Sequence, residues 1–153
     1  RYGATLANRG TVYKTTIMDH VTDPDGKLVK KNETVIVDSV YAPEEFWDAI
    51  IEGMEGVVSP EDGGTAESSF STKFRDKGYL DQIIGKTGTA QTSVTSSTNI
   101  DIDNTAWFIA ATPREKPEIV IVVFIPNGLS GSSNATAVEE IVSYWLENRK
   151  DAA

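Results

Sequence analysis

The sequence has no cysteine among its 153 residues. That excludes disulfide scaffolds, cysteine-ligated zinc, iron–sulfur clusters and a cysteine nucleophile. It leaves the cellular compartment open. There is one histidine, His20. A lone histidine carries no Ser/His/Asp triad by itself and reads as a structural or surface residue. Cations are scarce: 14 Lys and Arg face 23 Asp and Glu, a net charge of −9. Phosphate affinity needs clustered Lys and Arg, so this balance argues against a nucleic-acid binder. No apolar run approaches the roughly 18 residues that span a bilayer. The longest, Ile119 to Pro126, has strand length. The first residues lack the charged and apolar regions of a signal peptide. They also lack an initiating methionine, and the chain is expected to be a segment of something longer. What remains is ordinary for a globular domain: 39% apolar, 24% charged, with 12 Gly and 6 Pro scattered through the chain.

Local patterns divide the chain into alternating elements. Residues 1–10 read as the tail of a helix, stopped by Asn8-Arg9-Gly10. Residues 11–38 are rich in β-branched side chains and broken by Asp23-Pro24-Asp25-Gly26, a tight-turn signature. They are expected to form a ribbon of short strands. A helix is expected over 43–57, with Pro43 at its start and Glu44 and Glu45 at its positive end. Its apolar stripe Phe46, Trp47, Ile50, Ile51 and Met54 is expected to be core. Residues 65–78 admit a short helix. Strands are expected near 82–91, 105–112 and 118–126, joined by a polar loop and a Pro-bounded turn into an antiparallel meander. A last helix over 135–148 would begin at Asn134 as N-cap and present Val138, Ile141, Val142, Trp145 and Leu146 to that sheet.

Several short patterns carry little. Asn99, Asp101 and Asp103 place oxygens at alternate positions, but the glycine and distal glutamate of a calcium loop are missing. No metal site is expected. Gly85-Lys86-Thr87 lacks the upstream glycine of a phosphate loop. Asn32-Glu33-Thr34 and Asn134-Ala135-Thr136 match the glycosylation pattern, and chance is the better explanation.

The informative stretch is Gly85-Lys86-Thr87-Gly88-Thr89-Ala90-Gln91. In an extended segment Lys86, Gly88 and Ala90 face one side and Thr87 and Thr89 the other. A twist or bulge at Gly88 would bring the cation and the hydroxyls toward one ligand. Such a strip suits a carboxylate.

With its context, this stretch resembles the C-terminal half of a penicillin-binding protein transpeptidase domain, whose motifs are Ser-x-x-Lys, Ser-x-Asn and Lys-Thr-Gly. Leu6-Ala7-Asn8-Arg9-Gly10 is similar to the family's Ala-Asn-Gly-Gly helix end. The turn Asp23 to Gly26 with Leu28-Val29 resembles its hairpin, and Gly64-Thr65-Ala66 the segment preceding the active-site strand. Ala106-Trp107-Phe108-Ile109 resembles its next strand. Thr-Ala-Gln after Lys-Thr-Gly is more like the monofunctional, class B members.

The departures matter as much. No lysine has a serine three residues before it; Lys14 has Thr11, Lys73 has Phe70, Lys77 has Phe74 and Lys86 has Ile83. Ser97-Thr98-Asn99 and Ser132-Ser133-Asn134 match Ser-x-Asn, but both follow Lys-Thr-Gly, whereas the family places that motif before it. They read as loop composition.

The resemblance implies a mixed α/β (α+β) domain with a five-stranded antiparallel sheet flanked by helices. This chain would supply the last three strands. It implies a D,D-transpeptidase that cross-links peptidoglycan stem peptides through an acyl-serine and binds β-lactams. Lys86 would add positive potential and tune proton transfer. Thr87 and Thr89 would hold the carboxylate, Gly88 would permit close approach, and the Thr89 backbone N–H would supply one oxyanion donor. The implied partners are the D-Ala-D-Ala stem peptide, β-lactams and the upstream half of the domain. No cofactor is implied. The implied location is the extracytoplasmic face of a bacterial membrane. Without a nucleophile the chain is expected to be inactive alone, with an apolar 118–126 edge open to self-association. A non-catalytic scaffold and a β-lactamase or sensor domain are the alternatives.

Overall fold

Helix α1 (Tyr2–Ala7) ends where Arg9 and Gly10 take positive φ, 49° and 95°. Those two residues turn the chain into an exposed ribbon. In it β1 (Thr11–Tyr13) pairs antiparallel with β4 (Ile36–Ser39), and β2 (His20–Thr22) with β3 (Leu28–Lys31). At the ribbon's tip the Asp23 carboxylate accepts the N–H groups of Asp25 (3.1 Å) and Lys27 (2.8 Å), and Gly26 sits at φ +81°. Between the two pairs, Asn32 Nδ2 donates to Thr16 Oγ1 (2.7 Å) and to the Met18 carbonyl (2.8 Å). The amide that glycosylation would modify is spent in this clamp. This computed structural model describes residues 1–91, 104–128 and 130–149.

Helix α2 (Glu44–Gly56) starts one residue after Pro43, whose fixed φ of −55° suits the cap position. Its apolar stripe does not become core as a whole. Trp47 and Met54 are buried and Ile51 half-buried, but Phe46 and Ile50 are 58% and 39% exposed. The physical reason is width. Met54 and Ile51 pack with Leu6, Ala7, Ile84, Ala111 and Val120, and no described element reaches the far side of the stripe.

Residues 67–82 form 3₁₀ turns at Glu67–Ser69 and Leu80–Gln82 around a short helix α3 (Thr72–Asp76), capped by Ser71 Oγ accepting the Phe74 N–H at 3.2 Å. This stretch drives Phe70, Phe74, Leu80 and Ile83 into the main core. Then come β5 (Ile84–Ala90), β6 (Thr105–Thr112) and β7 (Ile119–Ile125), an antiparallel sheet in the order β5-β6-β7. β5 begins later than residue 82 because Leu80–Gln82 is a 3₁₀ turn.

The sheet has two unlike faces. One carries Gly85, Thr87, Thr89, Phe108, Ala110 and Ile121. Its lower part is covered by α4 (Ala135–Asn148), where Val138 and Val142 are fully buried beside Phe108 and Phe74. Phe70 stacks on Phe74 (5.2 Å between rings) and meets Phe108 edge-on (6.5 Å). The other face carries Ile84, Lys86, Trp107, Ile109, Val122 and Phe124. α1 and α2 cover only its Ile84–Ala111–Val120 end. At the other end Trp107, Val122 and Phe124 are 39%, 50% and 49% exposed. β7 has no strand partner on its outer side among the described residues.

Asn134 does stand at the start of α4, but it does not cap it. The chain enters α4 from a 3₁₀ turn (Gly131–Asn134), so Asn134 is already helical (φ −78°, ψ −11°) and its side chain caps nothing. Its carboxamide is buried with neither polar atom partnered within the protein. No helix among the described residues is long and apolar enough to cross a membrane.

Candidate active site

Among the described residues β5 pairs on one side only, with β6. Its outer edge therefore presents the backbone N–H and C=O groups of alternate residues without a strand partner, a ready template for an extended ligand. The register from Ile84↔Ala111 to Ala90↔Thr105 is unbroken. There is thus no bulge at Gly88. Two well-matched strands leave no extra residue to accommodate there, and the side chains alternate strictly.

Lys86 lies on the partly open face, exposed, with Nζ donating to the Thr87 carbonyl at 2.9 Å. Thr87 lies on the opposite face, half-buried, its Oγ1 3.1 Å from Thr65 Oγ1. Gly88 is half-buried opposite Trp107. Thr89 is exposed on the Thr87 face, and its Oγ1 accepts the Gly131 N–H at 3.2 Å. The cation and the hydroxyls are not gathered on one side of the strand; they straddle its free edge. A ligand lying along that edge would meet a positive charge from one face, hydroxyls from the other, and backbone donors between them.

Three neighbours were not singled out as site residues from sequence. Thr65 reaches Thr87 because the Gly64-Thr65-Ala66 turn is pinned by the Ala66 N–H to the Val57 carbonyl (3.0 Å). Trp107 packs on Phe124 with ring centres 4.3 Å apart, on the Lys86 face. Gly131 closes the site from behind. Ser132-Ser133-Asn134 is a packed turn against β5 and β6 rather than a free loop. Ser97-Thr98-Asn99 and the Asn99, Asp101, Asp103 group lie outside the described residues. Among the described residues no cluster of His, Cys, Asp or Glu could hold a metal ion. His20 sits apart in the ribbon, exposed, with Nδ1 2.7 Å from Asp19 Oδ2. That hydrogen bond holds the Asp19 carboxyl below its ordinary value.

Comparison with known proteins gives this edge a family. The sequence model of the penicillin binding protein transpeptidase domain matches residues 1–143. The chain therefore belongs to the penicillin-binding protein transpeptidase family. It is 31% identical, over 155 aligned positions, to the peptidoglycan D,D-transpeptidase MrdA of Haemophilus influenzae, covering 94% of this chain and 22% of that protein. Among solved structures it resembles Pseudomonas aeruginosa PBP2 in complex with WCK 5153: 29% identity, TM-score 0.61, 96% of this chain and 29% of that one. It also resembles penicillin-binding protein A of M. tuberculosis, solved as an imipenem acyl-enzyme complex. There the identity is 24% and the TM-score 0.68, over 94% of this chain and 29% of that one, a likeness of fold. The chain thus spans less than a third of the length of each.

Proposed function

We propose that this chain is the part of a serine-type peptidoglycan D,D-transpeptidase that holds the substrate's carboxylate end, in a parent of the monofunctional type on the extracytoplasmic side of a bacterial membrane. The observation that carries this is the outer β5 edge, without a strand partner among the described residues and straddled by Lys86 and by Thr87 and Thr89. A peptide ending in D-Ala-D-Ala, or a β-lactam, lies along the edge as an added strand. Lys86 supplies the electrostatic attraction for its carboxylate and helps move the proton. The Thr87 and Thr89 hydroxyls donate to that carboxylate. The Thr89 backbone N–H is one oxyanion donor for the carbonyl under attack.

The attacking serine is not in this chain, which has no Ser-x-x-Lys. It comes from the upstream half of the domain and supplies the second oxyanion N–H. Its oxygen bonds to the carbonyl carbon and the terminal D-Ala leaves. The amine of a second stem peptide then displaces the serine to form the cross-link. No cofactor enters that sequence. By itself the chain does not acylate, and its open β7 edge pairs with a second copy.

Fluorescent-penicillin labelling tests this. The full-length parent takes label, its Lys86→Ala variant takes far less, and the 153-residue chain alone takes none. A parent that folds but takes no label refutes the enzyme in favour of a scaffold.

A further inference from the structure

The 3₁₀ turn Gly131–Asn134 lies across the Thr89 side of β5, behind the edge where the ligand is placed. Gly131 is buried there and donates its N–H to Thr89 Oγ1 at 3.2 Å. A Cβ on Gly131 would stand 2.5 Å from the Trp107 carbonyl oxygen and 2.6 Å from both the N and the O of Gly88. These are backbone atoms in the middle of the β5–β6 ladder, where Gly88 faces Trp107. They cannot swing aside as a side-chain tip could. Only glycine lets the turn come close enough for the N–H to reach Thr89. The turn is braced by the Ser130 and Ser132 hydroxyls, 2.6 Å apart, and by the Ser133 N–H on the Ser130 carbonyl at 3.2 Å.

A threonine hydroxyl has one proton to give and two lone pairs to receive with. The Gly131 N–H occupies one lone pair. That fixes the oxygen while leaving the proton free, so the hydroxyl is set as a donor before any ligand arrives. Preset donors avoid the ordering cost that a freely rotating hydroxyl would incur on binding. We infer that Gly131 is a positioning residue of this site, whose N–H aims the Thr89 hydroxyl as a donor at the ligand's carboxylate. The inference rests on the transpeptidase reading above.

The test compares acylation of the full-length parent by benzylpenicillin and by its methyl ester, which lacks the anionic carboxylate. Gly131→Ala lowers the acylation efficiency for benzylpenicillin about tenfold or more, the scale of one hydrogen bond to a charged group. The methyl ester is slowed much less. Thr89→Val gives the same selective loss, and the double variant loses no more than the worse single one. Thr89→Ser retains the tether and the selectivity. Replacing Gly131 by its hydroxy acid deletes the N–H without adding a Cβ, so it keeps the test sharp if the alanine variant misfolds. Equal losses for the two probes, or losses that add in the double variant, overturn the inference. A wild-type parent that benzylpenicillin does not acylate overturns the transpeptidase reading instead.

Discussion

At the scale of single residues, the proposed site divides labour across a strand edge. Lys86 is exposed and its Nζ rests on the Thr87 carbonyl, a weak restraint that a ligand carboxylate would readily replace. Charge, not hydrogen-bond count, is what it offers. Lys86→Ala is therefore expected to slow β-lactam acylation of the parent by about a hundredfold or more, the usual scale for losing a group that assists proton transfer. Lys86→Arg is expected to rescue it poorly, since a planar fork does not replace a compact ammonium beside a strand edge. Stopped-flow acylation kinetics on the two variants would show it; an arginine variant with wild-type rates would contradict the role given to Lys86. Thr87 behaves differently because its hydroxyl is already shared with Thr65. Thr65→Val should reproduce part of a Thr87→Val defect with both variants fully folded. Unchanged acylation in Thr65→Val would show that Thr87 needs no support.

At the scale of elements, burial decides which apolar positions matter. Phe108 is wholly buried at the centre of the main cluster, between Phe70 and the inner face of α4. Phe108→Ala should destabilise by about 3–5 kcal/mol, the range for emptying a large core position. Phe46, on the uncovered side of α2, should cost no more than about 0.5 kcal/mol when truncated in this chain. Urea unfolding of the two variants checks both, and a large loss from Phe46→Ala would reveal a partner for that face. Helix α4 is also tied to the end of α3 by an ion pair between Lys77 and Glu147. Its hydrogen bond lowers the Glu147 carboxyl and raises the Lys77 ammonium relative to their ordinary values. The glutamate's contribution is present above its unfolded-state pKa and is lost as pH falls through the lowered folded value. The lysine's is present below its own unfolded-state pKa and is lost as pH rises through the raised folded one. Both side chains are substantially solvated, so the effect is small. Glu147→Gln should lower the thermal midpoint slightly at neutral pH, and the two proteins should converge in acid. A difference that persists at the lowest pH would assign the loss to packing.

The same elements show how far composition reaches. β6 occupies the residues that its β-branched and aromatic run marks, and the Asp23 to Gly26 turn closes with the side-chain bonds that its residue types favour. Local chemistry decides such features. The split stripe of α2 was not legible, because which half is buried depends on how far α1 and the sheet extend. Nor was the idle cap at Asn134, which depends on the turn before it being helical already. In the proposed site, Lys86 to Thr89 stand together in the chain, so their grouping is visible in the sequence. The place of Gly131 is not: it lies far from Thr89 in sequence, and only the return of the chain over β5 brings them together.

At the scale of the molecule, the two faces of the sheet differ in completeness. One is covered over its lower part by α4 and the aromatic cluster. The other is covered at one end and leaves Trp107, Val122 and Phe124 open beside Lys86. β7 also lacks an outer strand partner among the described residues. An exposed apolar edge of that kind promotes pairing between copies. Light scattering on the chain alone should therefore find dimers or larger species, and Val122→Lys should shift them toward monomer. A stable monomer before any substitution would contradict that role for the edge. In the proposed enzyme one active site is divided between an edge that holds the ligand, within these residues, and a serine that attacks it, outside them. Peptide mapping of the full-length parent after reaction with benzylpenicillin tests that division most directly. One adduct per molecule is predicted, on a serine outside these 153 residues. An adduct on any serine within them would contradict the division and move the nucleophile into this chain.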